Sequence, residues 1–366
     1  MKHTQSNYQF SQSYYIGIDV HKNSWKVAIR FDGQELRTTS LDPSGKQLRQ
    51  WVDRHFGDGR YMAIYEAGFT GFSTYRSLQA HGFESVVVHP SDIPTTDRDR
   101  RKKTDKVDCR RLARNLENYY RSDRSEDSRE ITPLYVPDLQ GEALRDLWRL
   151  REHTVKDLSR IKNRIWSFLD KWGLTVPASD QLPRWSQTFV RYLREELTIT
   201  QPVARLGLDQ LLDRYQQICE QLKTCNRNLA SHLQQGKPAA IINAMRSQPG
   251  VGALTAMGFY AELIDIRRFA NTEKLSRYVG LAPDVHQSGD RQADGRVGSR
   301  CNKRVRRLLI EAAWVAIRKD DELHQHWRRY IQRMPKQKAI IRIARKLAVR
   351  LRRLWLNQLV ESPKYE

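Results

Sequence analysis

Tyr14-Tyr15-Ile16-Gly17-Ile18-Asp19 is a short apolar run that ends on an acid. A second run, Tyr61-Met62-Ala63-Ile64-Tyr65-Glu66, ends the same way. A buried strand that closes on a carboxylate presents it at the sheet edge, where ligands sit. Two more acids follow in Thr104-Asp105-Lys106-Val107-Asp108-Cys109. Three residues apart, they share one face of a helix. Four carboxylates gathered in one place repel unless a divalent cation holds them, which is how a magnesium site for phosphodiester chemistry is built. Asp19, Glu66, Asp105 and Asp108 are therefore the candidate metal ligands and catalytic acids. Mg2+ is the expected ion, with Mn2+ as a substitute. Read singly, an aspartate after a strand is a turn residue or a helix cap. The set of four is what points to a metal.

The elements around these acids set the fold class. Residues 14–20 read as a strand, and Trp25–Arg30 alternates as a second. Asp32-Gly33 is a hairpin turn signal, and 35–41 returns as a third. A helix over 44–56 carries Leu48, Trp51 and Val52 on its apolar face. Strand 61–66, helix 70–81, strand 84–89 and a helix from about 104 complete the order βββαβαβα. Three antiparallel strands followed by α/β alternation is the order of ribonuclease H-like domains. There the acids sit on the first strand, the fourth strand and a late helix.

The charge balance agrees with a nucleic-acid substrate. Lys and Arg number 64 against 42 acids, a formal net charge of +22. Such an excess points to a polyanion, most simply nucleic acid; a ribosomal-type or membrane-surface protein is the blander reading. The longest apolar stretches fall far short of a bilayer span, so no membrane association is expected. Residues 1–13 read as a loose polar tail without a signal peptide. Cys109, Cys219, Cys225 and Cys301 lack metal-ligand spacing and read as reduced thiols in a cytoplasmic, nucleoid-associated prokaryotic protein.

Residues 139–235 read as helical. Leu144, Leu147, Leu158, Ile161, Ile165, Phe168 and Trp172 fit a 3.5-residue repeat, broken at Arg151 and Thr154. Leu208, Leu211, Tyr215, Ile218, Leu222, Cys225 and Leu229 fit it unbroken. The pattern predicts a coiled-coil connector, a long antiparallel arm, with two amphipathic helices in a bundle as the alternative. An arm of that reach can carry one domain to a neighbouring subunit, and exchange of four strands takes several active sites. A homodimer or homotetramer is expected.

Residues 236–360 form a third, more basic and mainly helical region. Gln248-Pro-Gly-Val-Gly-Ala-Leu-Thr255 resembles a helix–hairpin–helix turn, in which the amides around Gly250 and Gly252 meet a phosphate. A polar, glycine-rich stretch over 284–303 reads as a functional loop. The basic candidates for nucleic-acid contact are Arg98, Arg100, Arg101, Lys102 and Lys103 just before the acids, and Arg296, Arg300, Lys303 and Arg304 in and after the loop. Arg345 and Lys346 lie on a last helix, about 337–359, that has no acid from Ile340 to Val360.

Several short pieces in order carry a family resemblance: Tyr15-Ile-Gly-Ile-Asp19, Tyr65-Glu-Ala-Gly68, Lys103-Thr-Asp-Lys-Val-Asp108, Pro249-Gly-Val-Gly252, Gly280-Leu-Ala-Pro283, Ser288-Gly289, Arg306–Trp314 and Ala344–Ala348. Together they resemble the DEDD transposases of insertion sequences, the bridge-RNA-guided recombinases (the IS-one-ten family, with its eleven-eleven subgroup). The resemblance implies a RuvC-like domain over 14–130, a coiled-coil connector over 139–235 and a transposase domain over 236–360. It places the acidic tetrad on Asp19, Glu66, Asp105 and Asp108, and the nucleophile on Ser288. It implies a phosphoserine link to DNA, magnesium at the acids, target and donor duplex DNA as substrates, and a non-coding bridge RNA that pairs with both. From the residues alone Ser288 reads first as a turn serine before Gly289, and the resemblance is what makes it the nucleophile. Ser299 is the alternative nucleophile, and His286 a candidate base. Where the family commonly reads Gly-Arg-Ile-Thr-Lys-x-Gly-Asn, this chain reads Gly295-Arg-Val-Gly-Ser-Arg-Cys-Asn302. Cys301 thus stands for a glycine, Gly298 for a threonine and Ser299 for a lysine, and Arg300 is a candidate for the lost charge.

The expectation is an RNA-guided DNA recombinase that transposes its own element. A metal-dependent junction resolvase or a DNA invertase of the same fold is the second reading, and in a resolvase water replaces the serine. A non-catalytic nucleic-acid scaffold is the third.

Overall fold

The structure, a computed structural model, describes residues 12–93, 105–121, 131–282, 287–288, 291–292 and 301–361. The chain divides into two compact units, Met1–Val136 and Pro137–Glu366.

The first unit is built on a mixed sheet. Strands β1 (Ser13–Val20), β2 (Trp25–Phe31) and β3 (Gln34–Leu41) run antiparallel. Asp32 and Gly33 both take positive φ between β2 and β3, the backbone of a type I′ hairpin. Helix α1 (Gly45–Phe56) leads to β4 (Arg60–Glu66), and α2 (Ser73–Ala80) leads to β5 (Glu84–Val88). Both β4 and β5 join in parallel, giving the order β3-β2-β1-β4-β5. Helix α3 (Asp105–Arg121) follows.

The central strands are buried on both faces, so they read as continuous apolar runs rather than alternating ones. One face packs Tyr14, Ile16, Ile18, Ala63 and Tyr65 against Leu48, Val52 and Leu78 of α1 and α2. The other packs Tyr15, Met62, Ile64, Val86 and Val88 against Leu112 and Leu116 of α3. A buried latch holds the far end of α3. Glu117, whose side chain is 3% exposed, accepts from Arg30 Nε at 2.8 Å and from the Gly33 amide at 2.5 Å.

The second unit is helical: α4 (Leu139–Lys171), α5 (Gln187–Arg191), α6 (Pro202–Leu233), α7 (Gly236–Arg246), α8 (Ala253–Leu263), α9 (Thr272–Tyr278), α10 (Lys303–Ala316), α11 (Asp321–Ile331) and α12 (Lys336–Glu361). Between α9 and α10 two short strands pair antiparallel, β6 (Gln287–Ser288) and β7 (Arg291–Gln292). Helices α4 and α6, 33 and 32 residues long, each span about 50 Å. They run antiparallel, since Arg151 bonds Asn226 at 3.1 Å while Phe168 lies beside Gly207.

Each long helix serves two cores. Their linked ends pack Ile161, Ile165, Leu169, Leu208, Leu212 and Tyr215 around Phe189 of α5. Their other ends send Trp148, Leu229 and Leu233 into a larger core with α7, α8, α10 and α12. The break in the α4 repeat falls between these cores. There Arg151 reaches across to Asn226, and buried Thr154 bonds back to the Leu150 carbonyl at 3.0 Å. The polar residues that interrupt the heptads are hydrogen-bonded ones.

The last helix differs from the sequence reading in one respect. Ile340, Ile343, Leu347 and Leu351 form its buried face. Its basic face, however, finds acids supplied from outside the helix. Arg350 pairs with Asp320 and Glu322, both at 2.6 Å, and Arg352 donates to the Phe269 carbonyl at 2.9 Å. Those two arginines hold the fold together.

Candidate active site

The sheet register brings the first two acids together. Ile18 pairs with Tyr65 in the parallel β1–β4 ladder. Asp19 and Glu66 therefore occupy the next rung, on strands about 4.8 Å apart. By the two-residue period Asp19 shares its face with Tyr15 and Gly17, and Glu66 shares its face with Met62 and Ile64. That is the face covered by α3, which carries Asp105 and Asp108 in its first turn.

Gly17 lets α3 approach. A Cβ at this position would stand 2.0 Å from the Cys109 carbonyl oxygen and 2.4 Å from the Ala113 amide nitrogen. Backbone thus lies on backbone, one turn beyond Asp108 and two residues before Asp19. The sequence reading passed over Gly17, although a glycine inside a strand pattern is a signal of close backbone approach.

The charges report the same convergence. Burial pushes the Glu66 carboxyl up, Arg111 pulls it down, and the nearby charges of Asp108 and Asp19 push it up further; the net is upward. Burial, with the Asp19 charge added, pushes the Cys109 thiol up to about 11. An arginine and a histidine stand among the acids. Arg111 Nη2 lies 2.9 Å from Asp108 Oδ1 and 3.4 Å from Glu66 Oε1, and His21 Nε2 lies 3.0 Å from Asp19 Oδ2. The sequence reading missed both.

The donor set suits a hard divalent ion. All three acids are oxygen donors on rigid elements, each partly open to solvent, with side-chain exposures of 23%, 33% and 25% for Asp19, Glu66 and Asp108. Arg111 is 12% exposed and its Nε is buried without a hydrogen-bond partner, so one guanidinium covers part of the charge and is itself incompletely satisfied. Among the described residues no group of three or more His, Cys, Asp or Glu is drawn in tightly enough to hold a metal ion. Arg111 bridges two of the carboxylates instead. The Asp105 side chain lies outside the described residues.

Ser288 belongs to the second unit. Its backbone is in β6, paired with Arg291 of β7. The side chain of Ser288 lies outside the described residues, as do His286, Arg296, Gly298, Ser299 and Arg300, and the run Arg98, Arg100, Arg101, Lys102 and Lys103. The departure at Cys301 has a structural place. The Cys301 side chain fills the space over Gly280, where a Cβ would meet its Sγ at 2.5 Å. The turn 247–252 joins α7 to α8 as the hairpin reading expects. Gly250 there has φ +86°, and a Cβ on it would stand 2.5 Å from the Ala312 carbonyl of α10, so its first role is helix packing. Gly252 caps α8 and is open on its Cβ side. Lys303 and Arg304 open α10, and Arg345 and Lys346 are half-buried on α12. No helix among the described residues is long and apolar enough to cross a membrane.

Comparison with known proteins adds two family matches. Residues 16–173 match a family of DEDD proteins described as transposase. Residues 242–328 match the family described as transposase IS116/IS110/IS902. The chain is 32% identical over 314 residues to a Sinorhizobium fredii protein named "Putative transposase y4rJ", covering 80% of this chain and 77% of that protein. It is 29% identical to "Putative transposase y4qE" of the same organism, over 82% of this chain and 71% of that one. It is also 29% identical to the Coxiella burnetii "Transposase for insertion sequence element IS1111A", over 55% of each.

Gly17→Ala tests the seat of α3. Overpacking of this kind costs about 1–3 kcal/mol, or more where backbone is struck. The expected result is a lower urea midpoint for the first unit together with loss of divalent-ion binding. A variant with unchanged stability and ion affinity would contradict the role given to the glycine.

Proposed function

The chain belongs to the IS116/IS110/IS902 transposases of insertion sequences, enzymes that cut and rejoin DNA, and on that premise we propose that it does so through a phosphoserine intermediate at Ser288, assisted by Mg2+ at Asp19, Glu66, Asp105 and Asp108. The observation that carries the reading is the convergence of Asp19 and Glu66 on the sheet with Asp108 of the helix seated on Gly17. The strand order β3-β2-β1-β4-β5, with acids on the first strand, the fourth strand and the following helix, supports a RuvC-like assignment for the first unit. Residues 139–235 serve in this reading as a coiled-coil connector, and 236–360 as the domain that presents the serine.

The chemistry divides between the two units. Asp19, Glu66, Asp105 and Asp108 hold the ion, which when bound polarises the scissile phosphate and offsets its growing charge. Ser288 Oγ forms a bond to phosphorus while the bond from phosphorus to one strand's oxygen breaks. The serine proton is lost, and the departing strand oxygen gains one. The phosphodiester energy is kept in the phosphoserine bond, so attack by a hydroxyl of another strand rejoins DNA without ATP. The serine needs activation, since a free hydroxyl is a weak nucleophile at neutral pH.

Denaturing gels of labelled element-end DNA test this directly. Wild-type protein is expected to form a covalent protein–DNA band in Mg2+ or Mn2+ and none in chelator. Ser288→Ala removes the band, Ser299→Ala keeps it, and Asp19→Asn removes it while the protein stays folded. An adduct that survives in Ser288→Ala, or in chelator, sinks the assignment.

The guide reading extends the same proposal. A protein of net charge +22 binds many polyanions, so affinity alone is uninformative. The expectation is that one structured RNA encoded beside the gene survives a high-salt wash and redirects cleavage when its loops are recoded. Equal, salt-sensitive loss of every RNA tested would speak for phosphate attraction only.

A further inference from the structure

Two carboxylates in the second unit are buried more deeply than any described acid of the candidate site. Glu262 on α8 is fully buried and Glu152 on α4 is 2% exposed. Both are gripped by arginines from other helices. Arg149 Nε and Nη2 reach Glu262 Oε1 and Oε2 at 3.0 and 3.1 Å, a two-bond fork. Arg304 Nε stands between the two acids, 2.8 Å from Glu152 Oε2 and 3.9 Å from Glu262 Oε1. Arg307 Nη2 donates to Glu152 Oε1 at 2.5 Å. Buried Arg145 donates Nη2 to the Glu262 carbonyl at 3.4 Å, while its Nε has no hydrogen-bond partner. Burial pushes the Glu262 carboxyl up, but Arg149, Asn302 and Arg304 outweigh it and hold it below its ordinary range.

Such a network is a costly way to stabilise a fold. Desolvating each ion costs several kcal/mol, and apolar replacements are often as stable. What it does provide is orientation. Arg149, Arg304 and Arg307 keep 37%, 36% and 49% of their side chains exposed. The carboxylate contacts occupy at most two of the three nitrogens on each guanidinium, leaving donors for another partner. Inside the protein Arg145, Arg149, Arg304 and Arg307 face two buried acids, and the further acids beside them, Asp146 and Glu311, are exposed to solvent. Helix α10 opens Lys303-Arg304-Val305-Arg306-Arg307 with no acid in its first turn. Cations at the positive end of a helix dipole are disfavoured. A phosphate bound at these arginines would offset the excess inside the protein and suit the helix end.

The cluster also stands where the serine segment rejoins the fold. Asn302 caps α10, accepting at Oδ1 from the amides of Arg304 and Val305. Its own amide donates to the Tyr278 carbonyl at 2.7 Å, and its Nδ2 donates to Glu262 Oε2 at 2.9 Å. One buried carboxylate thus fixes both an arginine and the chain end of the segment that carries Ser288.

We propose that Arg149, Arg304 and Arg307, set in place by buried Glu152 and Glu262, form a preorganised phosphate clamp for the DNA strand that the Ser288 segment acts on. The placement beside the reacting strand rests on the serine reading; the clamp itself is a claim about DNA binding. It holds backbone and not bases, so it acts alike on all sequences. Glu152 and Glu262 are positioning residues.

The test is equilibrium binding of the full chain to a random-sequence DNA duplex and to an unstructured RNA of equal length, over a range of NaCl. Arg304→Gln and Arg307→Gln are each expected to lower the salt slope on DNA by about 0.9. Arg304→Lys keeps the charge but loses the planar fork, and is expected to bind several-fold more weakly than wild type. Glu152→Gln separates a clamp from a general charge effect. It makes the protein more positive, so simple attraction predicts tighter DNA binding, whereas release of Arg304 and Arg307 predicts several-fold weaker binding. Thermal melts show whether Glu152→Gln folds; if it does not, the arginine variants decide. Unchanged DNA slopes in Arg304→Gln and Arg307→Gln, equal or tighter DNA binding by folded Glu152→Gln, or slopes that fall on RNA alone would each overturn the clamp. Failure of the serine assignment would show in the adduct gel and leave these slopes as they are.

Discussion

Helix α3 touches strand β1 backbone to backbone, because residue 17 has no side chain. The meeting of the helix acids with the sheet acids follows from that contact. The sheet sets Asp19 beside Glu66 through the β1–β4 register, which needs no help from α3. The acids of α3 arrive only if the helix lies flat on the same face. Leu112 and Leu116 supply the burial that holds it there, and the Glu117 latch fixes its far end to the hairpin. A one-methyl obstruction at Gly17 acts where the polypeptide cannot rearrange a side chain to make room.

The two units treat buried acids in opposite ways. In the second unit Glu152 and Glu262 are closed off and fully partnered by arginines, so their charge is spent inside the protein. In the first unit the acids remain partly open, Glu66 is pushed up by burial with the charges of Asp108 and Asp19 adding to it, and Arg111 covers the charge incompletely. In the proposed reading this anionic cluster on rigid elements, within a chain of net charge +22, is where a divalent ion would be held. The local deficit runs against the global excess, which is why the cluster carries information that net charge does not.

Much of the first unit was legible from residue pattern. Continuous apolar runs ending on acids marked β1 and β4, Asp32-Gly33 marked the hairpin, the apolar face of Leu48, Trp51 and Val52 marked α1, and the three-residue spacing of Asp105 and Asp108 fitted α3. These signals are local, and local geometry settles them. Arg111 and His21 were invisible because nothing in spacing says which side chain will fold over an acid. Gly17 carried a signal that only gained meaning once α3 was placed. In the second unit the heptads of α4 and α6 marked two long helices but not that each feeds two cores, since a repeat does not record its partners. The pairing of Arg350 and Arg352 left no mark in the acid-free run of the last helix, because their partners, Asp320, Glu322 and the Phe269 carbonyl, are distant in sequence.

The central claim is that Asp19, Glu66 and Asp108 act as one ion-binding site. Electron paramagnetic resonance of free Mn2+, titrated with the full chain, measures this without any DNA or turnover. The account predicts saturable Mn2+ binding that weakens at least about tenfold in each of Asp19→Asn, Glu66→Gln and Asp108→Asn, with the fold of each variant intact. Wild-type Mn2+ affinity retained in any one of the three would contradict it.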